Sequence, residues 1–277
     1  MKKLIGIDRI LTEIQLLAEH HKPFPHILLS GARGTGKTSL AYYISELTQQ
    51  PVVDLQGPSV DSKNIWTILY SLQENSILFI DEIHRLSSKI EELLYQPMES
   101  GNLSINYGGV IQTVPYIKFT LIGATTQPGL ISKPLQSRFK IHIQIPNYKQ
   151  SDLEEIIRDN YPEINKSDAH LIASYVTVPR EAINLTFRLL NLNRSIPQGL
   201  EFLGYRFGLK PSEIKYLQSL QKLQSASLQT MCSLLQQEDD LIKLIEERLL
   251  FKALICITSK GRELTPLGWS ILQKLKV

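Results

Sequence analysis

The stretch Gly31-Ala32-Arg33-Gly34-Thr35-Gly36-Lys37-Thr38 constrains this chain more than any other part of its sequence. It satisfies the spacing of a glycine, four free positions and then Gly-Lys-Thr. Glycines let successive backbone N–H groups turn inward as an anion nest, and a helix that begins at the lysine aims its positive end at the same point. Such a loop works only between a buried strand and a helix. Ile27-Leu28-Leu29 supplies the strand, and a helix is expected from Lys37 to about Thr48. Gly31, Gly34, Thr35, Gly36, Lys37, Thr38 and Ser39 are therefore candidates for holding the phosphates of ATP. Lys37 would reach the β- and γ-phosphates, and the Thr38 hydroxyl would hold Mg²⁺.

A second half to this site is expected at Ile77-Leu78-Phe79-Ile80-Asp81-Glu82. Four apolar residues make a strand buried on both faces, and Asp81 emerges at its C-terminal end, where parallel sheets of this class bind ligands. Asp81 would hold Mg²⁺ through the ion's water shell, and Glu82 would polarise the attacking water. Alone, the run is also compatible with a plain strand end; the matching phosphate loop favours the functional reading.

Around these motifs, short apolar runs alternate with helical stretches. Ile7 to His20 carries helical spacing, Pro51 to Leu55 and Phe119 to Ile122 read as strands, and Asn64 to Leu72 and Glu91 to Met98 read as helices. Leu103 to Lys118, broken by Gly108-Gly109, reads as a β-hairpin. Alternation of this kind implies an α/β fold with a parallel sheet. Beyond Pro146 the strand signal fades into helices broken at Pro162, Pro179 and Pro197. Near Gly208 a third unit begins: three helices, then Leu254 to Thr258, a Ser259-Lys260-Gly261-Arg262 turn and Glu263-Leu264-Thr265. That is the winged-helix pattern. The expected domains are 1–147 for nucleotide binding, 148–207 for a helical lid and 208–277 for a winged helix that binds DNA.

Bulk properties exclude little but agree. A chain of 277 residues with 43% hydrophobic and 21% charged residues is ordinary for a soluble globular protein. No stretch is apolar enough for a membrane span, and Asp8 and Arg9 interrupt any signal core, so a cytoplasmic location is expected. Cys232 and Cys256 lack metal-ligand spacing and read as buried free thiols. From Arg206 onward there are eleven Lys and Arg against seven Asp and Glu. That mildly basic third is a footprint for nucleic acid, although a merely solvated surface would look similar. His84 and the pair His20-His21 read as structural or surface residues, and Trp66 and Trp269 as core.

The residues resemble the AAA+ ATPases, and within them the RuvB-type Holliday-junction branch-migration motors. The resemblance is carried by Leu78 to Leu86 (Leu-Phe-Ile-Asp-Glu-Ile-His-Arg-Leu), Glu91 to Tyr95, Phe119 to Thr126, Pro134 to Phe139, Pro179-Arg180, and Thr258 to Arg262 with Thr265. It spans nearly the whole chain. It implies that Thr125 orients the lytic water, where a capping threonine is the alternative. It implies that Arg138 is an arginine finger reaching the next subunit's phosphoryl group, and that Arg180 ties the lid to the γ-phosphate. Tyr148 would line the adenine pocket, Glu99-Ser100-Gly101 would face a neighbour's nucleotide, and Lys260 and Arg262 would contact DNA.

The same resemblance implies a homo-hexameric ring that translocates duplex DNA and drives branch migration at four-way junctions. A RuvA-type junction-binding protein would dock on the Leu103 to Lys118 hairpin. Departures from the family qualify these expectations. Ile5-Gly6 sits almost at the start, where the family carries an adenine-holding arm before that pair. Arg33 replaces a usual proline, the hairpin is shorter, and Ile257 stands where a second wing arginine is usual. Losing one phosphate-neutralising group lowers the salt slope of DNA binding by about one. The alternative function is an ATP-dependent switch or loader that remodels a DNA-bound partner without processive translocation.

Overall fold

The computed structural model describes residues 3–21, 23–61, 63–100, 102–107 and 110–275. Two compact units emerge, Met1–Asn160 with Thr177–Ile183, and Tyr161–Val176 with Asn184–Val277. In chain order the first unit holds α1 (Asp8–His20), β1 (Ile27–Ser30), α2 (Lys37–Thr48), β2 (Val52–Gln56), α3 (Asn64–Ser71), β3 (Ile77–Asp81), α4 (Ser88–Ser100), β4 (Asn102–Tyr107), β5 (Val110–Pro115), β6 (Thr120–Thr125), α5 (Lys133–Arg138), β7 (Ile141–Gln144) and α6 (Gln150–Asn160).

Five of its strands form one parallel sheet in the order β2-β3-β6-β1-β7. Neighbouring residues on a strand point to opposite faces, and the core divides accordingly. Leu28, Leu78, Ile80 and Leu121 pack with Ile65 and Leu69 of α3, Ile90 and Leu94 of α4, and Leu135 of α5. Their neighbours Ile27, Leu29, Ile77, Phe79, Ile122 and Ala124 pack on the other face with Ile14 of α1 and Leu40, Ala41 and Ile44 of α2. Burial on both faces is why β1, β3 and β6 read as unbroken apolar runs. Truncating a fully buried member such as Phe79 to alanine costs about 3–5 kcal/mol.

The edge strand β7 is not foreseen by that pattern. Only Ile143 is buried, while His142 and Gln144 are exposed. Half-buried alternation over four residues is too short to stand out from a loop. The hairpin is present as β4 paired antiparallel with β5; its Gly108-Gly109 tip, like Gly101, lies outside the described residues.

The second unit contains α7 (Lys166–Ala173), most of α8 (Pro179–Leu190), α9 (Ile196–Phe202), α10 (Pro211–Leu223), β8 (Ser225–Ala226), α11 (Leu228–Leu235), α12 (Asp239–Phe251), β9 (Ile255–Thr258), β10 (Gly261–Leu264) and α13 (Pro266–Leu275). Pro179 opens α8 and Pro197 lies in the first turn of α9, where a missing N–H costs nothing. The C-terminal part buries Leu209, Tyr216, Leu217, Met231, Ile242 and Leu249 in one cluster. Its small sheet runs β8-β10-β9, antiparallel throughout. Cys232 and Cys256 are free and half-buried rather than buried. Trp66 packs partly buried against the first unit's core, whereas Trp269 is 38% exposed. Among the described residues no helix is long and apolar enough to cross a membrane.

Candidate active site

The parallel sheet brings the ends of β1, β6 and β3 side by side. Ser30 pairs with Thr125 across β1 and β6, and β3 runs alongside β6. The loop after β1 is fastened to that edge by the Gly31 N–H, which donates to the Thr125 carbonyl at 3.3 Å. Gly36, at φ 99°, is the left-handed cap from which α2 starts, a conformation glycine adopts at little cost. Gly34 is needed for space as well, because a Cβ there would lie 2.9 Å from the Arg180 Cβ. Thr35 is buried and donates its hydroxyl to the Ala32 carbonyl at 2.9 Å, which closes the loop on itself.

Lys37 opens α2 and is 7% exposed. Its Nζ donates to the carbonyls of Gly31 at 2.9 Å and Ala32 at 3.0 Å, within the loop itself. Burial pushes its pKa below the usual lysine range, while Glu82 and Asp81 pull it up and Arg180 adds to the depression. The ammonium, both carboxylates and the Arg180 guanidinium thus share one electrostatic environment. Arg180 is also held by its backbone N–H, which donates to the Gly34 carbonyl at 3.3 Å. Tyr148 is half-buried and donates its hydroxyl to the Thr35 carbonyl at 2.9 Å. Burial, helped by Asp152, pushes that phenol up to about 12. Thr38 is half-buried on the first turn of α2 and Ser39 is exposed.

Asp81 ends β3, and its Oδ1 accepts the Glu82 N–H at 3.0 Å. Glu82 follows in the left-handed region at φ 51°, ψ 46°, a conformation costly for a side chain with a Cβ and typical of functional turns. Its Oε2 accepts the Thr126 hydroxyl at 3.1 Å. His84 Nδ1 lies 3.3 Å from the same Oε2 and 2.9 Å from Thr125 Oγ1. His84, read from sequence as a structural or surface residue, therefore joins the strand-end residues of β3 and β6. His20 and His21 are exposed as expected.

Arg138 and Glu99 sit together on another part of the unit. Arg138 Nη2 donates to Glu99 Oε2 at 3.0 Å and Nη1 to the Pro134 carbonyl at 2.7 Å. Its guanidinium lies 4.1 Å from the centre of the Tyr95 ring.

Residues 1–145 match the family model described as the Holliday junction DNA helicase RuvB P-loop domain, and residues 206–273 match the RuvB C-terminal winged helix domain. The chain belongs to the RuvB family. The Holliday junction branch migration complex subunit RuvB of Mycoplasmopsis pulmonis is 36% identical over 300 residues, covering 99% of this chain and 94% of that protein. Its counterpart in Campylobacter hominis is 34% identical over 278 residues, covering 89% and 80%. Among solved structures, the Thermotoga maritima RuvB Holliday junction branch migration motor superposes with a TM-score of 0.80 at 31% identity, covering 99% and 97%.

The wing places its two candidate DNA-contacting residues in different surroundings. Lys260 is exposed at the β9–β10 turn. Arg262 is engaged within the winged helix: its Nε and Nη2 donate to the two oxygens of Glu246 at 3.0 and 3.2 Å. Tyr216 donates its hydroxyl to Glu246 Oε1 at 2.7 Å, so the pair belongs to the core of the winged helix. Ile257, opposite Arg262 in the sheet, is 53% exposed. Glu246, Tyr95, His84 and Thr126 are the participants sequence reasoning missed. His84, Tyr95 and Thr126 lie in segments already singled out, and Glu246 carried no signal.

Proposed function

We propose that this chain hydrolyses ATP in a homo-hexameric ring, translocates duplex DNA and drives branch migration of four-way junctions, in the cytoplasm. The observation that carries this reading is the meeting of Lys37, Asp81, Glu82 and Thr125 at three adjacent strand ends, in a RuvB family member. The phosphates would lie in the loop from Gly31 to Thr38, with Ser39 beside them, and Arg180 and Tyr148 would border the nucleotide. Arg138 and Glu99 would serve the next subunit's site. The domains would divide as 1–147, 148–207 and 208–277.

The donor set suits Mg²⁺. Thr38 and Asp81 offer a hydroxyl and a carboxylate, hard oxygen ligands that leave most of an octahedral shell to water and phosphate. Among the described residues no group of three His, Cys, Asp or Glu forms an all-protein metal site. When bound, the ion would neutralise charge on the β- and γ-phosphate oxygens.

The chemistry follows from the side chains. Glu82 takes a proton from water as the water oxygen bonds to the γ-phosphorus. The bond from that phosphorus to the bridging oxygen breaks, ADP leaves with the electron pair, and Lys37 offsets the charge on the leaving phosphates. DNA would be met through the exposed Lys260, with Arg262 shaping the wing behind it, and a RuvA-type partner through the β4–β5 hairpin. Steady-state ATP turnover with and without duplex DNA tests the reading. DNA-stimulated turnover that disappears in both Glu82→Gln and Arg138→Ala is expected. Turnover indifferent to DNA would favour a switch or loader, and turnover surviving Glu82→Gln would overturn the site.

A further inference from the structure

His84 lies where two halves of the site need to be held in register. It sits in the short turn Ile83–Arg85 just past β3, with a side chain only 9% exposed. Its Nδ1 reaches both Thr125 Oγ1, at 2.9 Å, and Glu82 Oε2, at 3.3 Å. The nearby carboxylate decides which tautomer is stable. An unprotonated Nδ1 would set a lone pair against a carboxylate oxygen, so the proton belongs on Nδ1, shared between Thr125 and Glu82.

That assignment has consequences on both sides. Thr125 Oγ1 already accepts the Gln127 backbone N–H at 2.9 Å. With the His84 N–H it has two donors and both lone pairs in use, so its own hydroxyl proton is left to be donated. A threonine at this strand end can then offer a hydrogen bond to a phosphate oxygen or to the lytic water without competition from its neighbours. On the other side, Glu82 Oε2 accepts from both Thr126 and His84. Both donors fix the same oxygen, and Oε1 is the one left to take the proton of water. The left-handed backbone at Glu82 adds to the need for such a restraint, because the strained turn must be held by its surroundings.

We infer that His84 is a positioning residue for hydrolysis: its Nδ1–H locks Glu82 by Oε2 and turns the Thr125 hydroxyl into an obligate donor. His84 would act through Glu82 and Thr125, the two residues proposed to meet the water and the phosphate. The inference rests on the proposed ATPase reading and deepens it.

Substitutions that differ in where they put a donor test this in the full chain with ATP, Mg²⁺ and duplex DNA. Asparagine carries its amide nitrogen on Cγ, as histidine carries Nδ1, whereas glutamine carries it one bond further out and leucine has none. His84→Leu and His84→Gln are expected to lower kcat about tenfold or more, with the nucleotide Kd and the KM for ATP unchanged. His84→Asn is expected to stay within about threefold of the unsubstituted chain. Full kcat or increased kcat in His84→Leu would overturn the inference, since it would make the contact idle or inhibitory. So would a loss that is equal in all three variants and accompanied by weaker nucleotide binding, which is what a merely structural histidine would give. An unsubstituted chain with no turnover marks the different failure, that of the ATPase reading, and the role of His84 would fall with it.

Discussion

The Arg138 guanidinium carbon lies over the Tyr95 ring, 4.1 Å from its centre, while its Nη2 donates to Glu99 at 3.0 Å. Tyr95 is in turn hydrogen bonded to Ser132 at 3.2 Å, at the start of the helix that carries Arg138. A guanidinium held over an aromatic ring is restrained in place, which matters for a group proposed to meet a phosphoryl group across a subunit boundary. Losing such a contact is worth about 1 kcal/mol, or roughly a fivefold rate effect. Tyr95→Ala should therefore lower ring ATPase about fivefold and Tyr95→Phe should change it little. Full turnover in Tyr95→Ala would contradict a positioning role for the ring. Mixing Arg138→Ala subunits with Lys37→Ala subunits should restore turnover, because mixed interfaces then pair an intact loop with an intact finger. Mixtures as inactive as either parent would count against a finger acting in trans.

The half-buried Arg262 and the buried Glu246, only 4% exposed, form a two-pronged ion pair. Removing the arginine alone leaves a buried carboxylate without its partner, a loss of about 3–5 kcal/mol. Arg262→Ala should lower the unfolding transition of the winged helix accordingly, and Arg262→Met combined with Glu246→Leu should recover most of it. Lys260→Ala, by contrast, should leave unfolding unchanged and reduce the salt slope of duplex binding by about one. Equal, small effects of Arg262→Ala and Lys260→Ala on unfolding would contradict this division of roles.

His26 supplies a pH dependence. Its Nδ1 accepts the Leu121 N–H at 2.8 Å, so its Nε2 donates to the Met98 carbonyl at 3.1 Å, and the ring is fixed neutral. Burial is the main cause that pushes its pKa from 6.5 down to about 4. The unfolded chain takes up the proton first, so the contribution is whole above about pH 6.5 and is lost as pH falls toward 4. The loss amounts to about 3 kcal/mol. Nuclear magnetic resonance of labelled histidines should find one of the six rings with no midpoint above pH 5. Six midpoints near 6.5 would contradict the burial argument.

The phosphate loop and the strands β1, β3 and β6 were legible in the sequence for one physical reason. Burial on both faces leaves an unbroken apolar run, and the loop's glycines and lysine have a fixed spacing. The edge strand β7 was not legible, because only one of its faces is covered and its residues alternate. Partner choice among charged side chains was the hardest part to read. Glu99 and Arg138 are 39 residues apart and Glu246 and Arg262 are 16 apart. Nothing local in either sequence says which carboxylate a guanidinium will find, because packing brings them together. His84 escaped for a related reason. Its meaning depends on Thr125, a residue 41 positions away on a neighbouring strand.

The central claim is that strand-end chemistry at Lys37, Glu82 and Thr125 powers movement of DNA. Dissociation of a synthetic four-way junction by the full chain with a RuvA-type partner, ATP and Mg²⁺ tests it most directly. The account predicts ATP-dependent conversion of the junction to duplex products, abolished in Glu82→Gln although nucleotide binding persists. Robust ATP turnover with a junction that stays intact would contradict it.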